Sequence, residues 1–360
     1  MKKFYTTSSY KTRNKRRARR LLKRRLISKQ KRKNKNFNGQ GKSKQERDEE
    51  RLISNYTKIT APKHFSFVEK PEETIKFINK LEKLYLNRKS VFVNLKDITY
   101  LDYSAVTILV SVMFSFKTRN IQFNGNFPKN GDLAKLLINS DFFKYLNKPI
   151  GKKIEYALGK ENQIFTRANK EVNSELGYVV MAEASTTIWG QKRTCKGLQR
   201  TLLELMQNTN NHADINKKGE KHWWLSVNHD KPKKKVSFIF IDYGVGIFES
   251  LKHKPNDNKW FGWFEKIKNR LVYGDNAEIF KLLLEGQMHL TVTGQHFRGK
   301  GLPGIREVLS RNQISNLRII SNNVFSDVAN ENYIKLNEEF SGTFVTWELN
   351  ENNINIKWIA

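Results

Sequence analysis

Three polar residues that suit phosphate and metal chemistry lie four positions apart in the second half of the chain: Glu204, Asn208 and His212. This spacing keeps them on one face of an α-helix. The amide oxygen of Asn208 can bind Mg²⁺, which prefers oxygen ligands, and the carboxylate of Glu204 can orient or deprotonate a nucleophile. A solvated helical face would also carry polar residues at this spacing, so the pattern alone leaves both interpretations open.

A second candidate segment follows the apolar stretch 236–241 and contains Asp242, Gly244 and Gly246. A carboxylate at the end of a strand can accept a hydrogen bond from an adenine amino group. The two glycines permit backbone conformations that other residues avoid, and they let the chain approach a ligand closely. A plain glycine turn after a strand is the alternative interpretation.

A glycine-rich segment spans residues 299–304 and is expected to open a helix. Backbone N–H groups at the N-terminus of such a helix bind phosphate, and the helix dipole adds to the attraction. The spacing differs from that of a Walker loop. The residues expected to contact the ligand here are Gly299, Lys300, Gly301 and Leu302. Further along the chain, the hydroxyl of Thr343 at the start of an apolar strand is expected to bond the Asp242 carboxylate.

A sheet and at least two helices are needed to bring these segments together. Apolar periodicity predicts helices over 195–212 and 302–311, and strands over 223–227, 235–242, 317–321 and 343–349. In the first half it predicts strands over 90–95 and 121–125 that alternate with helices over 71–86, 104–116 and 132–146. Alternation of this kind predicts an α/β protein with helices packed on sheets.

Taken in order, these segments resemble the Bergerat-fold, histidine-kinase-like (GHKL) ATPase superfamily, which includes gyrase, heat-shock chaperones and histidine kinases. The resemblance covers about residues 165–350. It implies a mixed sheet with helices on one face, and ATP bound between the helices and a lid within residues 248–298. It also implies that Asn208 binds Mg²⁺, that Glu204 is the catalytic base and that Asp242 accepts a hydrogen bond from the adenine base.

Two departures from the family pattern change what the resemblance implies. Many histidine kinases carry Lys three places after the metal-binding Asn, whereas this chain has Asn211. No histidine occurs between His64 and His212, so the phosphoacceptor hairpin of sensor kinases is missing. The chain is therefore not expected to phosphorylate itself on histidine.

Residues 58–150 resemble a STAS domain, the fold of anti-sigma factor antagonists. The resemblance rests on the segment 91–109 (VFVNLKDITYLDYSAVTIL) and on the apolar helix predicted over 132–146. In that family a serine beside an aspartate at a helix start is phosphorylated by a partner ATPase, which makes Ser104 a candidate phosphoacceptor. Ala105 replaces the usual glycine, and a helix N-cap is the alternative role for Ser104.

The net charge of +31 is unevenly spread, because residues 1–36 hold 17 Lys or Arg and no acidic residue. Such a tail can bind a polyphosphate backbone by counterion release, and residues 13–25 could form a basic helix on an anionic partner. A tail that is merely solvated is the alternative. Cys195 is the single cysteine and cannot form a disulfide within the chain. No apolar stretch approaches the roughly 20 residues that span a bilayer, so we expect a cytoplasmic protein that does not enter a membrane.

The sequence therefore predicts an α/β (α+β) protein with a disordered tail and linker (1–55), a STAS-like domain (56–155) and an ATPase-like domain (165–352). The expected function is that of a regulatory protein that binds ATP and Mg²⁺ and acts with an unidentified protein partner. ATP hydrolysis, serine phosphorylation and binding alone remain open, as does a homodimer. The alternatives are a nucleic-acid-associated ATPase of the same class, recruited by the tail, and a degenerate scaffold.

Overall fold

The computed structural model describes residues 7–37, 54–140, 163–169, 172, 174–212, 222–252, 276–286 and 301–353. The chain divides into two compact units, Met1–Thr57 and Lys58–Ala360. The second unit contains both regions that were expected to form separate domains. Much of the expected linker, most of the expected lid, and Gly299 and Lys300 lie outside the described residues.

The first unit contains helix α1 (Ser8–Phe37), which is 30 residues long. This differs from the disordered tail expected for this region. The helix has no Gly or Pro and is rich in Arg, Lys and Leu, and these residues have high intrinsic helix propensity. Its described side chains are almost all exposed.

The second unit begins with a small α/β region. Strands β1 (Thr57–Thr60), β3 (Val91–Asn94) and β5 (Phe123–Gly125) form a sheet in the order β1-β3-β5, and β2 (His64–Phe65) pairs in parallel with β4 (Tyr100–Leu101). The helices are α2 (Pro71–Leu86), α3 (Tyr103–Thr118) and α4 (Gly131–Asn139). The β3–β5 pair is parallel, as expected for strands joined through a helix.

A five-stranded sheet forms the centre of the unit. Its strands are β6 (Gln163–Asn169), β7 (His222–Asp230), β8 (Lys235–Asp242), β9 (Ser315–Asp327) and β10 (Asn332–Asn350), in the order β6-β7-β8-β10-β9. The accompanying helices are α5 (Ser174–Trp189), α6 (Lys196–His212), α7 (Gly246–Lys252), α8 (Asn276–Leu284) and α9 (Gly301–Ser310).

Every pairing described in this sheet is antiparallel, which differs from the mixed sheet expected for the second half. Short turns join β7 to β8 and β9 to β10. Consecutive strands joined by so short a turn can pair only in the antiparallel direction, because a parallel pair needs a long crossover. The unit as a whole is mixed α/β, because it also contains the parallel strand pairs of the small α/β region that precedes the five-stranded sheet.

The two faces of the five-stranded sheet pack against different helices. Along β8, Val236, Phe238 and Phe240 share one apolar cluster with α5, α6, α8 and α9. The alternating residues Ile239 and Ile241 belong to a second cluster with α2 and α3. Because side chains alternate across a strand, the small α/β region covers the face of the sheet that α5, α6, α8 and α9 leave open.

Helix α3 lies at the centre of this second cluster. Phe114 on α3 packs edge-on against Trp224 of β7, with the ring centroids 5.2 Å apart. Ser111 is hydrogen-bonded to the hydroxyl of Tyr243, which directly follows β8. The helix that carries the candidate phosphoacceptor Ser104 is therefore buried within the unit.

The main helices and strands predicted from periodicity are confirmed, α2 with its predicted ends and α6 and α9 within a residue. Helix α5 was not anticipated, because its β-branched and small residues lack a clear apolar stripe. Strands β9 and β10 extend well beyond the predicted segments. The pairing shifts register at several points in this hairpin, and such bulges interrupt the alternation that periodicity detects.

Candidate functional site

Helices α6 and α9 bring Glu204 and Asn208 close to Gly301 of the glycine-rich segment. A Cβ atom added to Gly301 would lie 3.2 Å from Nδ2 and 3.3 Å from Oδ1 of Asn208, and 3.3 Å from Oε2 of Glu204. Glu204 and Asn208 are each half-buried. The spacing-based expectation that they share a helical face is confirmed, because both side chains contact one residue at the start of α9.

Close packing along the rest of the two helices fixes this approach. A Cβ atom on Gly197 would meet Val308 at 2.8 Å, and one on Gly304 would meet Arg200 at 2.7 Å. The guanidinium of Arg200 also donates to Glu307 at 3.1 Å. Glycines at these positions let the helices run antiparallel in close contact, so the N-terminus of α9 faces the C-terminal half of α6.

Asp242 ends strand β8 on the face of the sheet that carries α6 and α9. It continues the alternation of Phe238 and Phe240, whose side chains pack against those helices. Its Oδ1 is buried and has no hydrogen-bond partner among the described residues. Burial raises the pKa of this carboxyl to about 7. A buried acceptor without a donor is costly to leave unsatisfied, so the site suits a ligand that donates a hydrogen bond.

Thr343 lies directly beside Asp242 in the sheet register. Its hydroxyl is 3.2 Å from Oγ of Ser321, rather than hydrogen-bonded to the Asp242 carboxylate as expected. Gly342 adopts a φ of +140°, and a Cβ atom there would lie 2.0 Å from the carbonyl oxygen of Asp242. Glycine is therefore required where β10 passes the end of β8.

Ser321 and Asn322 on β9 hold the glycine turn after Asp242, and neither residue was predicted from the sequence. The Ile247 N–H donates to Ser321 Oγ at 2.9 Å. Asn322 accepts from the Phe248 N–H at 3.1 Å and donates to the Val245 carbonyl at 3.0 Å.

The signal for these two residues was present in the sequence as three consecutive polar residues, 321–323, between the apolar pairs 319–320 and 324–325. Asn322 has a φ of +50°, a conformation that Asn tolerates better than most residues. The role of this interruption becomes visible only when the glycine turn is placed beside it.

For the remaining expected site residues among those described, the structure gives the position in the chain but no side-chain contact that bears on the site. Gly244 lies in the turn between β8 and α7, and Leu302 follows Gly301 in the first turn of α9. His212 ends α6, but its side chain and that of Asn211 lie outside the described residues. Of the expected lid, α7 and α8 are described.

Ser104 is buried and sits in a closed hydrogen-bond network. Its hydroxyl donates to Asp102 Oδ1 and accepts from the Phe67 N–H at 2.9 Å. Ser66 donates to the other oxygen of Asp102 at 2.6 Å. The N-cap of α3 is Asp102, whose side chain accepts from the Ala105 N–H, so the interpretation of Ser104 as the cap is wrong. Asp102 lies one position before the first helical residue, and from there its carboxylate reaches the N–H groups of the first turn of α3.

Burial raises the pKa of Asp102, and its hydrogen bonds with Ser104 and Ser66 act in the opposite direction. With both oxygens paired, the network satisfies all of its buried polar groups, as a stable interior requires. A kinase would have to open this network to reach the Ser104 hydroxyl.

Over the described ranges, no group of three or more His, Cys, Asp or Glu side chains could hold a metal ion. In the same part of the chain, none of the helices combines the length and apolarity required to traverse a bilayer. Searches against protein-family models and against curated proteins find no match for this chain.

Proposed function

We propose that this protein is a regulatory protein of the Bergerat-fold ATPase class that binds ATP together with Mg²⁺. The observation that carries the proposal is the approach of Gly301 to Asn208 and Glu204. It joins a helix N-terminus, an amide whose oxygen could bind Mg²⁺ and a carboxylate at one place. Asp242 lies on the same face of the sheet, with a buried oxygen that lacks a donor.

The phosphates and the metal would lie between α6 and the start of α9. Mg²⁺ is usually held by only one or two protein groups, with phosphate oxygens and waters completing its shell, so Asn208 needs no cluster of acidic ligands around it. The free N–H groups of the first turn of α9 and its dipole favour the negative phosphates. Close contact with Gly301 is possible because glycine has no side chain.

The base would lie at Asp242. The adenine amino group can donate to the buried oxygen, whereas guanine presents a carbonyl oxygen at the equivalent position and would meet an acceptor with an acceptor. A site built around one hydrogen bond rejects a ligand that cannot make it much more strongly than a purely apolar pocket does. ATP should therefore bind in preference to GTP.

Glu204 would be the group that orients or deprotonates a nucleophile near the terminal phosphate. Incubating the protein with γ-labelled ATP and Mg²⁺ separates the three outcomes left open by the sequence. Free labelled phosphate indicates hydrolysis, label on the protein indicates phosphotransfer, and neither indicates a binding switch.

The binding proposal is tested by calorimetric titration of Mg·ATP into the purified chain. Asn208→Ala should weaken binding at least tenfold, and the weakening should shrink when Mg²⁺ is left out. Gln207→Ala is the matched control, because Gln207 is the exposed neighbour on the same helix. Failure of the wild-type protein to bind Mg·ATP, or equal binding by Asn208→Ala, would overturn the proposal.

A further inference from the structure

The N-terminal helix α1 carries a charge pattern that the nucleotide site does not use. It contains 15 Lys or Arg and no acidic residue within its 30 positions. At about 1.5 Å per residue it is about 45 Å long, so it presents roughly one positive charge per 3 Å. A duplex nucleic acid carries roughly one negative charge per 1.7 Å of its axis, or one per 3.4 Å on each strand, so each strand has a linear charge density close to that of α1.

The cations surround the helix rather than forming one stripe. Consecutive residues on a helix point about 100° apart, and within residues 8–30 three runs of neighbouring cations occur, at 15–17, 19–20 and 23–25. A partner that contacts a single face would leave most of these charges unpaired. The pattern instead fits a partner that places negative charge on both sides of the helix at once.

The apolar residues of α1 do not form a membrane-binding face. Leu21 and Leu22 are 53% and 64% exposed, and Leu26 and Ile27 are 57% and 46% exposed. Leu22 and Leu26 share a face, but Leu21 and Ile27 point about 100° to either side of it, so the four side chains cover about 240° of the helix circumference. A helix that lies on a bilayer needs its apolar residues collected on one face, and α1 lacks that arrangement.

We propose that α1 binds double-stranded DNA by lying in its major groove, with cations on both of its sides against the phosphates of the two groove walls. The major groove of B-form DNA is about 12 Å wide and accepts an α-helix, which with its side chains is about 10–12 Å across. The major groove of an RNA duplex is too narrow and deep for this. This proposal does not depend on ATP binding.

Folding of the helix is expected to be coupled to this binding. Like charges four residues apart, such as Arg16 with Arg20 and Arg20 with Arg24, destabilise an isolated helix, and α1 has no acidic residue to offset them. Phosphates on either side remove that repulsion. Duplex DNA should therefore raise the helix signal in far-ultraviolet circular dichroism of the full chain.

The test measures binding of the full-length protein to a labelled DNA duplex of about 20 bp, which is about two helical turns, across a range of salt concentrations. The variant Arg16→Gln, Arg20→Gln, Arg24→Gln keeps good helix formers but removes three charges from α1. It should lower affinity at least tenfold and reduce the slope of log K against log salt by up to about 2.7, at about 0.9 per lost phosphate contact.

The control variant Lys76→Gln, Lys80→Gln, Lys83→Gln removes three exposed charges from α2 and should bind DNA almost as well as wild type. Equal losses in both variants would assign binding to the overall charge and overturn the proposal. Equal or tighter binding of an RNA duplex would overturn the groove assignment. Binding to anionic lipid vesicles with no binding to DNA would overturn the DNA proposal in favour of a membrane surface as the partner of α1.

Discussion

The side chain of Asn322 occupies the space that a Cβ atom on Gly246 would need: such an atom would lie 2.4 Å from Asn322 Oδ1. The same amide bonds Val245 and Phe248 on either side of that glycine. Strand β9 therefore holds the glycine turn that directly follows Asp242, the candidate base-binding residue. The turn and Asn322 lie more than 70 residues apart in the chain.

The first prediction concerns this glycine. Gly246→Ala should destabilise the protein by about 1–3 kcal/mol, because its φ of +78° is unfavourable for alanine and the new methyl group would displace Asn322. Gly131→Ala is the control, since nothing lies within 4 Å of a Cβ atom there. Urea denaturation measures both variants, and an equal stability of the two would contradict the role given to Asn322.

The second prediction concerns the contact between α6 and α9. Gly301→Ala should weaken Mg·ATP binding about tenfold, with a smaller effect on stability, because its methyl group would crowd the Asn208 amide at 3.2 Å. In an Asn208→Ala background the same change should weaken binding much less, since residues in contact show coupling in double-mutant cycles. Additive effects in the titration would argue against a shared site.

The third prediction concerns the pH dependence that Asp242 imposes on stability. Its folded-state pKa is raised by burial from 3.8 to about 7, so the folded chain retains this proton over a range in which the unfolded chain has lost it. The stability contribution of the protonated carboxyl is present below about pH 4 and is lost as the pH rises to about 7.

Asp242→Asn removes that titration. The variant should gain stability relative to wild type as the pH rises from about 4 to about 8, by an amount on the order of 1.4 kcal/mol per pKa unit. Urea denaturation at several pH values tests this, and parallel curves for the two proteins would show that Asp242 does not carry the dependence.

The fourth prediction concerns Ser104. Ser104→Ala should destabilise the protein by about 1–3 kcal/mol, because it leaves the buried Phe67 N–H without an acceptor. Ser310→Ala removes an exposed hydroxyl that also bonds a backbone group, and should change stability by less than about 0.5 kcal/mol. If chemical denaturation finds both changes neutral, the buried network contributes less than its geometry indicates.

The fifth prediction concerns the packing of the small α/β region on the five-stranded sheet. Trp224→Ala should destabilise the unit by about 3–5 kcal/mol, because the indole is fully buried and packs against Phe114. Loss of structure should occur in a single transition for the helices of both regions. Two separate transitions in denaturation, with only one shifted by the substitution, would show that the regions fold independently.

Local chemistry made much of the site predictable. The four-residue spacing of Glu204 and Asn208 needs only helical geometry, and the position of Asp242 follows from an apolar strand that ends at a glycine turn. Ser321 and Asn322 could not be assigned in this way, because their partners in the turn are set by tertiary packing. The hydroxyl of Thr343 likewise bonds Ser321, which its neighbours in the sequence do not reveal.

The sequence by itself determined the main helices and strands, the cationic character of α1 and the identity of the candidate site residues, because propensity, periodicity and charge act over a few neighbouring residues. Only the tertiary structure decided that Gly301 meets Asn208, that Asp102 caps α3 while Ser104 is buried, and that the small α/β region covers one face of the five-stranded sheet. These outcomes depend on which apolar faces pack together, and contacts between distant segments decide that packing.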